Sequence, residues 1–263
     1  MWIEGTFAST AEGSLIAVLD AVLIGNPNWA ISDAAAGTNC KVYECDDPVT
    51  GAKFYLKVDD NYVAYAILEL WEGWDAVGHV GVGASKKETG GGYIFWWMRP
   101  VGFWKISLHD NYFTFINATY CGHFCGRPTL YNAALNIVLI TAESLYSIGC
   151  NSLCRYTNDY YSGWGFLFDE AGNQTNARGA GGGSATSPEY RNIKGIDGKY
   201  HVNEEPVANV NTQLVVGTLP GISNGGNYDN GLENGDTVTI GGVDWMAIKG
   251  RGVAVFLSLV RKD

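Results

Sequence analysis

Basic residues are scarce in this sequence, and charged residues of both signs make up only 17% of it. Lysine and arginine number 17 against 27 aspartates and glutamates, which gives a formal net charge of −10. No basic run exceeds two residues, as at Lys86-Lys87. Binding to phosphates requires clusters of lysine and arginine, so this balance disfavours a nucleic-acid partner. An acidic surface mainly keeps a protein soluble until it meets its partner.

Long hydrophobic runs are also missing. No stretch of 18 uninterrupted apolar residues occurs, so we predict no membrane span. The apolar segment at residues 15–24 contains Asp20 and has no basic segment before it, which is unlike a secretory signal. We therefore expect the chain to fold in a cytoplasm.

Large apolar residues are abundant, and they concentrate in one segment at residues 93–120. Within it, residues 103–108 and 112–116 are predicted strands, and residues 97–99 lead into Pro100, which blocks ladder pairing at that point. The polar residues 109–111 are predicted to form the turn between the two strands. A segment so rich in aromatic side chains must be buried in a core or in a subunit contact.

The N-terminal part combines one helical pattern with several strand patterns. Residues 1–8 lack helical periodicity and are expected to form an extended arm. Apolar residues at 15, 18, 19, 22 and 23 predict an amphipathic helix that begins near Ser9-Thr10 and stops at residues 25–27. Residues 41–44, 54–58 and 64–71 are predicted strands, joined by turns at residues 46–51 and 59–61.

The C-terminal part contains strand patterns and one long polar loop. Residues 133–140 and 163–168 are strand candidates, and the glycine-rich segment 171–184 is predicted to be a loop. That loop lacks the Lys-Ser/Thr ending of a phosphate-binding loop. Residues 236–240 and 243–248 flank Gly241-Gly242 and predict a hairpin, which residues 253–260 extend into a closing meander. The predicted fold is α+β: a helix-plus-antiparallel-sheet domain over residues 1–127, followed by a β-rich domain over residues 128–263.

Three segments resemble a group of tailed-phage virion structural proteins. They are the N-terminal helix followed by Asn28-Trp29, the aromatic block at 93–120 with Gly126-Arg127-Pro128 after it, and residues 197–202 followed by residues 237–246. In the third segment, residues 197–202 have the sequence Asp-Gly-Lys-Tyr-His-Val, and residues 237–246 have the sequence Thr-Val-Thr-Ile-Gly-Gly-Val-Asp-Trp-Met. The resemblance implies a component of the phage neck or tail without an active site. It also implies a homo-oligomeric ring or collar, assembled in the host cytoplasm and incorporated into the virion.

The six cysteines fall into three close pairs, 40/45, 121/125 and 150/154. Buried free thiols, disulfides and a zinc site all remain open. For zinc, His123 between Cys121 and Cys125 would add a nitrogen ligand, although the spacing differs from the usual two-residue knuckle.

Acidic and histidine residues give three further candidate sites, each with a structural alternative. Asp46, Asp47, Asp59 and Asp60 could bind a cation, but solvated turns are the favoured interpretation. Glu69, Glu72 and Asp75 flank Trp71 and Trp74, as carboxylates flank aromatic residues in glycosidases. His109-Asp110 is a dyad in sequence, but adjacent residues on a strand face opposite sides, so a turn is the favoured interpretation. His79 and His201 have no recognisable partner spacing, and we interpret them as structural.

No catalytic residue, cofactor or metal site is therefore predicted, and the protein is not expected to be an enzyme. We expect its partners to be further copies of itself and other neck or tail proteins. The alternative function is a receptor- or glycan-binding module at the tail tip, with Tyr160, Tyr161 and Trp164 exposed. A glycan hydrolase that uses Glu69, Glu72 or Asp75 is the third hypothesis.

Overall fold

The structure, a computed structural model, describes residues 1–82, 95–98, 100–120, 122–131, 136–140, 164–168, 174–179, 204–209, 215–227, 232–249 and 256–263. Within these ranges lie one helix, α1 (Ser14–Leu23), and twenty strands. In chain order the strands are β1 (Trp2–Phe7), β2 (Trp29–Gly37), β3 (Cys40–Asp46), β4 (Lys53–Asp59), β5 (Tyr65–Trp71), β6 (Gly73–Asp75), β7 (Val80–Val82), β8 (Phe95–Met98), β9 (Gly102–Leu108), β10 (Tyr112–Asn117), β11 (Gly122–Gly126), β12 (Thr129–Leu130), β13 (Asn136–Ile140), β14 (Trp164–Phe168), β15 (Gln174–Gly179), β16 (Glu204–Asn209), β17 (Val215–Asn227), β18 (Thr237–Ile240), β19 (Val243–Lys249) and β20 (Phe256–Arg261).

The strands form three antiparallel sheets. The largest has thirteen strands in the order β1-β9-β10-β11-β13-β14-β15-β16-β17-β20-β19-β18, with β12 pairing β17 beside this path. A five-stranded sheet has the order β2-β3-β4-β5-β8, and β6 pairs with β7 in a separate hairpin. The large sheet crosses position 127 without interruption, because β11 pairs with β13. The division into domains at residues 127 and 128 stays a prediction.

The predicted α+β class is wrong. In the part of the chain that the structure describes, α1 is the only helix, and nearly all the remaining regular structure is antiparallel strand. Local periodicity correctly identified one helical segment, but a single ten-residue helix does not form a layer of its own. The fold is therefore all-β in character, with α1 as one inserted element.

Two apolar clusters cover opposite faces of β10, which is buried along its whole length. Phe113 and Phe115 face the main core, which also contains side chains from α1 and from the five-stranded sheet. Tyr112 and Ile116 face a second cluster with side chains from β17, β19 and β20. The burial predicted for the aromatic segment is confirmed over β10 and over the last three residues of β9, while Phe103 and Trp104 are half-buried. Residues 109–111 form the expected turn between the two strands.

The helix begins later than the sequence predicts, and its cap comes from a distant residue. Residue 13 is a glycine in the left-handed region, with φ of 78°, and no neighbouring side chain caps the helix. Instead, the Asp60 carboxylate accepts hydrogen bonds from the backbone N–H groups of Leu15 at 2.8 Å and Ile16 at 3.2 Å. Two of the N–H groups that have no partner within a helix are thereby satisfied, and the negative charge lies at the positive end of the helix dipole.

Two segments predicted to lack regular pairing are strands. Residues 2–7 form β1, which pairs with β9 in six consecutive register positions, so this segment is not a free arm. Residues 174–179, inside the predicted polar loop 171–184, form β15 between β14 and β16. The rest of that loop lies outside the described residues. The hairpin around Gly241-Gly242 is confirmed, with φ of 61° and 82°, and β20 extends it as the predicted third strand.

Candidate functional site: the outer face of the five-stranded sheet

The five-stranded sheet has a second face, directed away from the main core. Side chains alternate along a strand, so Tyr43 and Leu56 point into the core while their neighbours point the other way. We call this second side the outer face, and it carries the side chains of Asp33, Cys40, Val42, Lys57, Glu69 and Trp71. Polar and aromatic groups converge there from β2, β4 and β5.

Glu69 lies in the middle of the outer face, and both of its carboxylate oxygens have partners. Lys57 Nζ lies 3.2 Å from Oε1, in a cross-strand pair between β4 and β5. Trp71 Nε1 donates a hydrogen bond to Oε2 at 3.1 Å. Both oxygens of this carboxylate are thus engaged by side chains of the same sheet, which is the arrangement of a structural pair.

Asp33 is the most buried acid on this face, with a side chain only 3% exposed. Its Oδ2 accepts a hydrogen bond from Trp74 Nε1 at 2.9 Å and lies 2.7 Å from His79 Nδ1. Its Oδ1 accepts the backbone N–H of Ala35 at 2.9 Å. Burial alone would raise the pKa of Asp33, but the hydrogen bonds from His79, Trp74 and Ala35 outweigh burial and lower it.

The β6–β7 hairpin lies over the outer face and is packed closely against it. The rings of Trp71 and Trp74 meet edge to face, with centroids 6.0 Å apart. Gly81 lies against the Trp71 ring so closely that an added Cβ would be 1.9 Å from Trp71 Cε3. Only a glycine permits this approach of the hairpin backbone to the indole ring.

The other two acids of the predicted glycosidase set lie on or beside this hairpin. Glu72 is half-buried between β5 and β6, and Asp75 is exposed and accepts the backbone N–H of Val77 at 2.9 Å. The structure thus brings Glu69, Trp71 and Trp74 together, as the sequence suggested. The histidine and the aspartate that complete the cluster, His79 and Asp33, were not predicted as its members.

The four acids proposed as solvated turns divide into two kinds. Asp46 is exposed and Asp59 is half-buried, but they are the last residues of β3 and β4 and lie next to the turns, not in them. For Asp47 and Asp60 the solvated-turn interpretation is wrong, because they are 1% and 0% exposed. Asp60 caps α1, and Asp47 pairs with Arg127. Among the described residues, no group of three or more histidine, cysteine or acidic side chains is arranged to hold a metal ion.

Three of the cysteines are described, and all three are buried free thiols. Cys40 and Cys45 lie five positions apart on β3 and therefore point to opposite faces of the sheet, so they do not form the disulfide that their proximity suggested. Burial raises the pKa of the Cys40 thiol to about 11 and raises that of Cys125 well above its ordinary value. Cys121, Cys150 and Cys154 lie outside the described residues.

His123, the nitrogen ligand of the zinc hypothesis, lies on β11 and is fully buried. It pairs across the sheet with Phe115, with ring centroids 6.1 Å apart, while Cys125 pairs with Phe113. These neighbours place both residues on the aromatic face of the sheet. Cys125 is part of the main core, so core packing accounts for its position.

A cavity of about 450 Å³ lies beside the β9–β10 turn. Burial lowers the pKa of His109, which lines this cavity, to about 4, so the imidazole is neutral at pH 7. Its ring stacks on Tyr112 with centroids 4.3 Å apart, and its Nε2 lies 3.0 Å from Ser107 Oγ. The residues that line the cavity are Met1, Asn26, Pro48, Val49, Leu108, His109, Asp110, Asn111 and Tyr112.

One motif that sequence reasoning missed is a Gly-x-Ser-x-Gly pattern at residues 221–225. In α/β-hydrolases this pattern forms a sharp turn between a strand and a helix, with the serine exposed. Here it lies inside β17, where Ser223 pairs with Glu204 on one side and Leu259 on the other. Ser223 is fully buried, so this segment is not a nucleophile elbow.

Several sequence predictions fall outside what the structure describes. Tyr160, Tyr161 and His201 are among them, and the exposure expected for Tyr160, Tyr161 and Trp164 stays a prediction. Within the described ranges, no helix reaches the length and hydropathy needed to cross a membrane.

No protein-family model and no curated protein matches the chain.

Proposed function

We propose that this chain is a structural protein of a tailed-phage virion, a subunit of a ring or collar in the neck or tail. The resemblance of three sequence segments to such proteins motivates the proposal. One structural observation supports it: Asp47, Asp60 and Glu69, which the sequence offered as cation ligands or as a catalytic acid, instead join segments of the fold to one another.

Two of these acids join elements that are distant in sequence. Asp60 holds the N-terminus of α1, and Asp47 holds Arg127. Glu69 links β4 to β5 through Lys57. Carboxylates used in this way make a rigid frame, and a rigid frame suits a subunit whose function depends on geometry.

Assembly would proceed by contacts between copies. The acidic chain would stay soluble in the host cytoplasm, and a closed ring would then satisfy the same interface on every copy. Exposed apolar side chains available for such contacts include Val63, Val77, Val80, Val82, Val101 and Tyr131. Other proteins of the neck or tail would bind the completed ring, and neither nucleic acid nor a cofactor is required.

The mass of the purified protein in solution tests the proposal. Light scattering should give a defined multimer, or a change from monomer to ring when proteins extracted from particles are added. A monomer whose mass does not depend on concentration or on those proteins would contradict the assembly role.

A second candidate function, glycan or receptor binding at the tail tip, is favoured by the Trp71–Trp74 pair. Both indoles are half-buried, and both lie beside carboxylates, an arrangement that suits stacking on sugar rings with hydrogen bonds at their edges. Saccharide binding that is lost in Trp74→Ala and kept in Trp29→Phe, a change in the main core, would support it.

A glycan hydrolase that uses Glu69, Glu72 or Asp75 is the least favoured candidate, because Lys57 and Trp71 already bind Glu69. It requires turnover of a cell-wall or capsule polysaccharide that is lost in Glu69→Gln or Glu72→Gln. Purified protein without such turnover would exclude it.

A further inference from the structure

The β6–β7 hairpin is the smallest sheet among the described residues. Each strand has three residues, and the two strands pair only with each other. A two-stranded hairpin of this size is not stable alone in water. Its position therefore depends on what it contacts on the outer face.

Side-chain contacts from the hairpin converge on one carboxylate oxygen. Trp74, on β6, and His79, just before β7, both bond Oδ2 of Asp33, at 2.9 Å and 2.7 Å. Asp33 belongs to β2, the strand at the opposite edge of the sheet from β8. The hairpin thus extends from the end of β5 across the outer face to β2.

Exposure differs sharply between the two sides of this contact. The Asp33 side chain is 3% exposed beneath the hairpin, whereas Val77 is 92% exposed and Val80 54% on the hairpin itself. Val77, Val80 and Val82 bury little apolar surface, so apart from the half-buried Trp74 the hydrophobic effect holds the hairpin weakly. Charge-assisted hydrogen bonds to Asp33 then make up a large part of what keeps it in place.

The backbone at His79 is consistent with a segment held by its side chains. His79 has φ of 54°, a left-handed conformation that is uncommon for residues other than glycine. Such a conformation persists when surrounding contacts impose it. His79 ends the turn between β6 and β7, and the same residue supplies the ring that contacts Asp33.

We propose that the β6–β7 hairpin is a strap that opens and closes over the outer face as a unit, with Asp33 as its latch. Opening breaks the bonds from Trp74 and His79 and lifts Gly81 from the Trp71 ring. It uncovers Trp71 and the Glu69–Lys57 pair and leaves the pairing of β3, β4 and β5 intact. This inference does not depend on the proposed virion function.

Amide hydrogen exchange of the whole chain, followed by mass spectrometry at constant pH, tests the strap. In Asp33→Ala, peptides that cover residues 73–82 should exchange about tenfold faster or more than in the wild type, because the latch carries charge-assisted hydrogen bonds. Peptides that cover β3 and β4 should keep their wild-type rates. Glu44→Gln is the matched control, since it removes a carboxylate from the exposed pair with Lys53 in the same sheet.

Two results would overturn the proposal. One is an unchanged exchange rate over residues 73–82 in Asp33→Ala, and the other is an equal increase over the hairpin and over β3 and β4. If Asp33→Ala does not fold, the wild type decides the question. Its hairpin amides should exchange at least about tenfold faster than those of β4, and equal rates would show that the hairpin opens only with the sheet.

Discussion

Asp47 and Arg127 form an ion pair that is almost completely buried, with Arg127 Nε 3.1 Å from Asp47 Oδ2. Their side chains are 1% and 4% exposed. Asp47 Oδ1 also accepts a hydrogen bond from Asn111 at 2.9 Å, and the guanidinium lies over the Phe54 ring at 5.6 Å. One carboxylate therefore joins the β3–β4 turn, the β9–β10 turn and the end of β11.

Removal of the Asp47 charge should destabilise the fold strongly. Asp47→Asn leaves the Arg127 charge buried without its partner, which typically costs about 3–5 kcal/mol. Urea denaturation measures this change in the free energy of unfolding. The neighbouring Asp46→Asn is the matched control, because Asp46 is exposed and lies 3.9 Å from Lys53, and a change below about 1 kcal/mol is expected there. Equal effects of the two substitutions would contradict the role given to the buried pair.

Stability should fall on acidification, and Asp47 should account for part of the fall. Burial would raise the pKa of Asp47, but hydrogen bonds from Thr50, Val49 and Asn111 and the charge of Arg127 lower it below the ordinary 3.8. A carboxyl whose pKa is lowered by folding adds stability above its unfolded pKa, and that stability is lost as the pH falls through the folded pKa. Unfolding free energies measured between pH 7 and pH 2 should therefore drop below about pH 4. The drop should be shallower in Asp47→Asn, and parallel curves would refute the assignment.

Loss of the Asp60 cap should weaken the helix at its N-terminus. Asp60→Ala leaves the N–H groups of Leu15 and Ile16 without their acceptor, and we expect a loss of about 1–2 kcal/mol or more in unfolding free energy. Asp59→Ala, one position earlier, is the control, since among the described residues the Asp59 side chain bonds the nearby Asn61 and not the helix. Denaturant curves for both variants measure the difference, and a larger loss in Asp59→Ala would count against the cap.

The described thiols should be chemically inert in the folded protein. Cys40, Cys45 and Cys125 are buried, and burial raises their pKa values, so little thiolate forms at pH 8. Alkylation by iodoacetamide, measured for each cysteine by mass spectrometry, should be at least about a hundredfold slower than in denaturant. Rapid labelling of Cys125 under native conditions would show that the core opens there.

If the proposed assembly role holds, exposed valines on the β6–β7 hairpin should contribute to contacts between copies. The double substitution Val77→Asp and Val82→Asp places charge on this apolar surface and should shift the multimer toward monomer in light scattering. Val49→Asp is the control, because Val49 is also highly exposed but lies in the β3–β4 turn. An unchanged mass for the hairpin variant would place the subunit contact elsewhere.

Local patterns in the sequence predicted individual elements well where a segment carries its own periodicity. The strands at residues 41–44, 54–58 and 64–71 and the hairpin at Gly241-Gly242 lie where alternation and turn chemistry place them. The fold class failed because β2, β15 and β17 are rich in alanine, glycine, asparagine or other small and polar residues. β15 and β17 each pair with a strand on both sides, and this pairing compensates for their weak strand propensity. Pairing with distant strands cannot be predicted from the local sequence.

The candidate site was only partly predictable for the same reason. Glu69 and Trp71 are two positions apart on one strand, so their shared face follows from strand geometry. Asp33, Trp74 and His79 come together only through the folding of the hairpin over the sheet. Asp47 resembles an ordinary turn residue, because its partner Arg127 is distant in sequence and near only in the folded chain.

The pairing of β1 with β9 has a consequence for the order of events during synthesis. The backbone amino group of Met1 donates to the carbonyl of Leu108, which lies 107 positions later in the chain. At roughly 5–20 residues per second, a ribosome needs about 5–20 seconds to synthesise the residues between Met1 and Leu108. During this time Trp2 and Ile3 have no strand to pair with, so β1 stays unpaired until β9 has been synthesised. A nascent chain of this protein therefore exposes an apolar strand that chaperones would have to shield until β9 emerges.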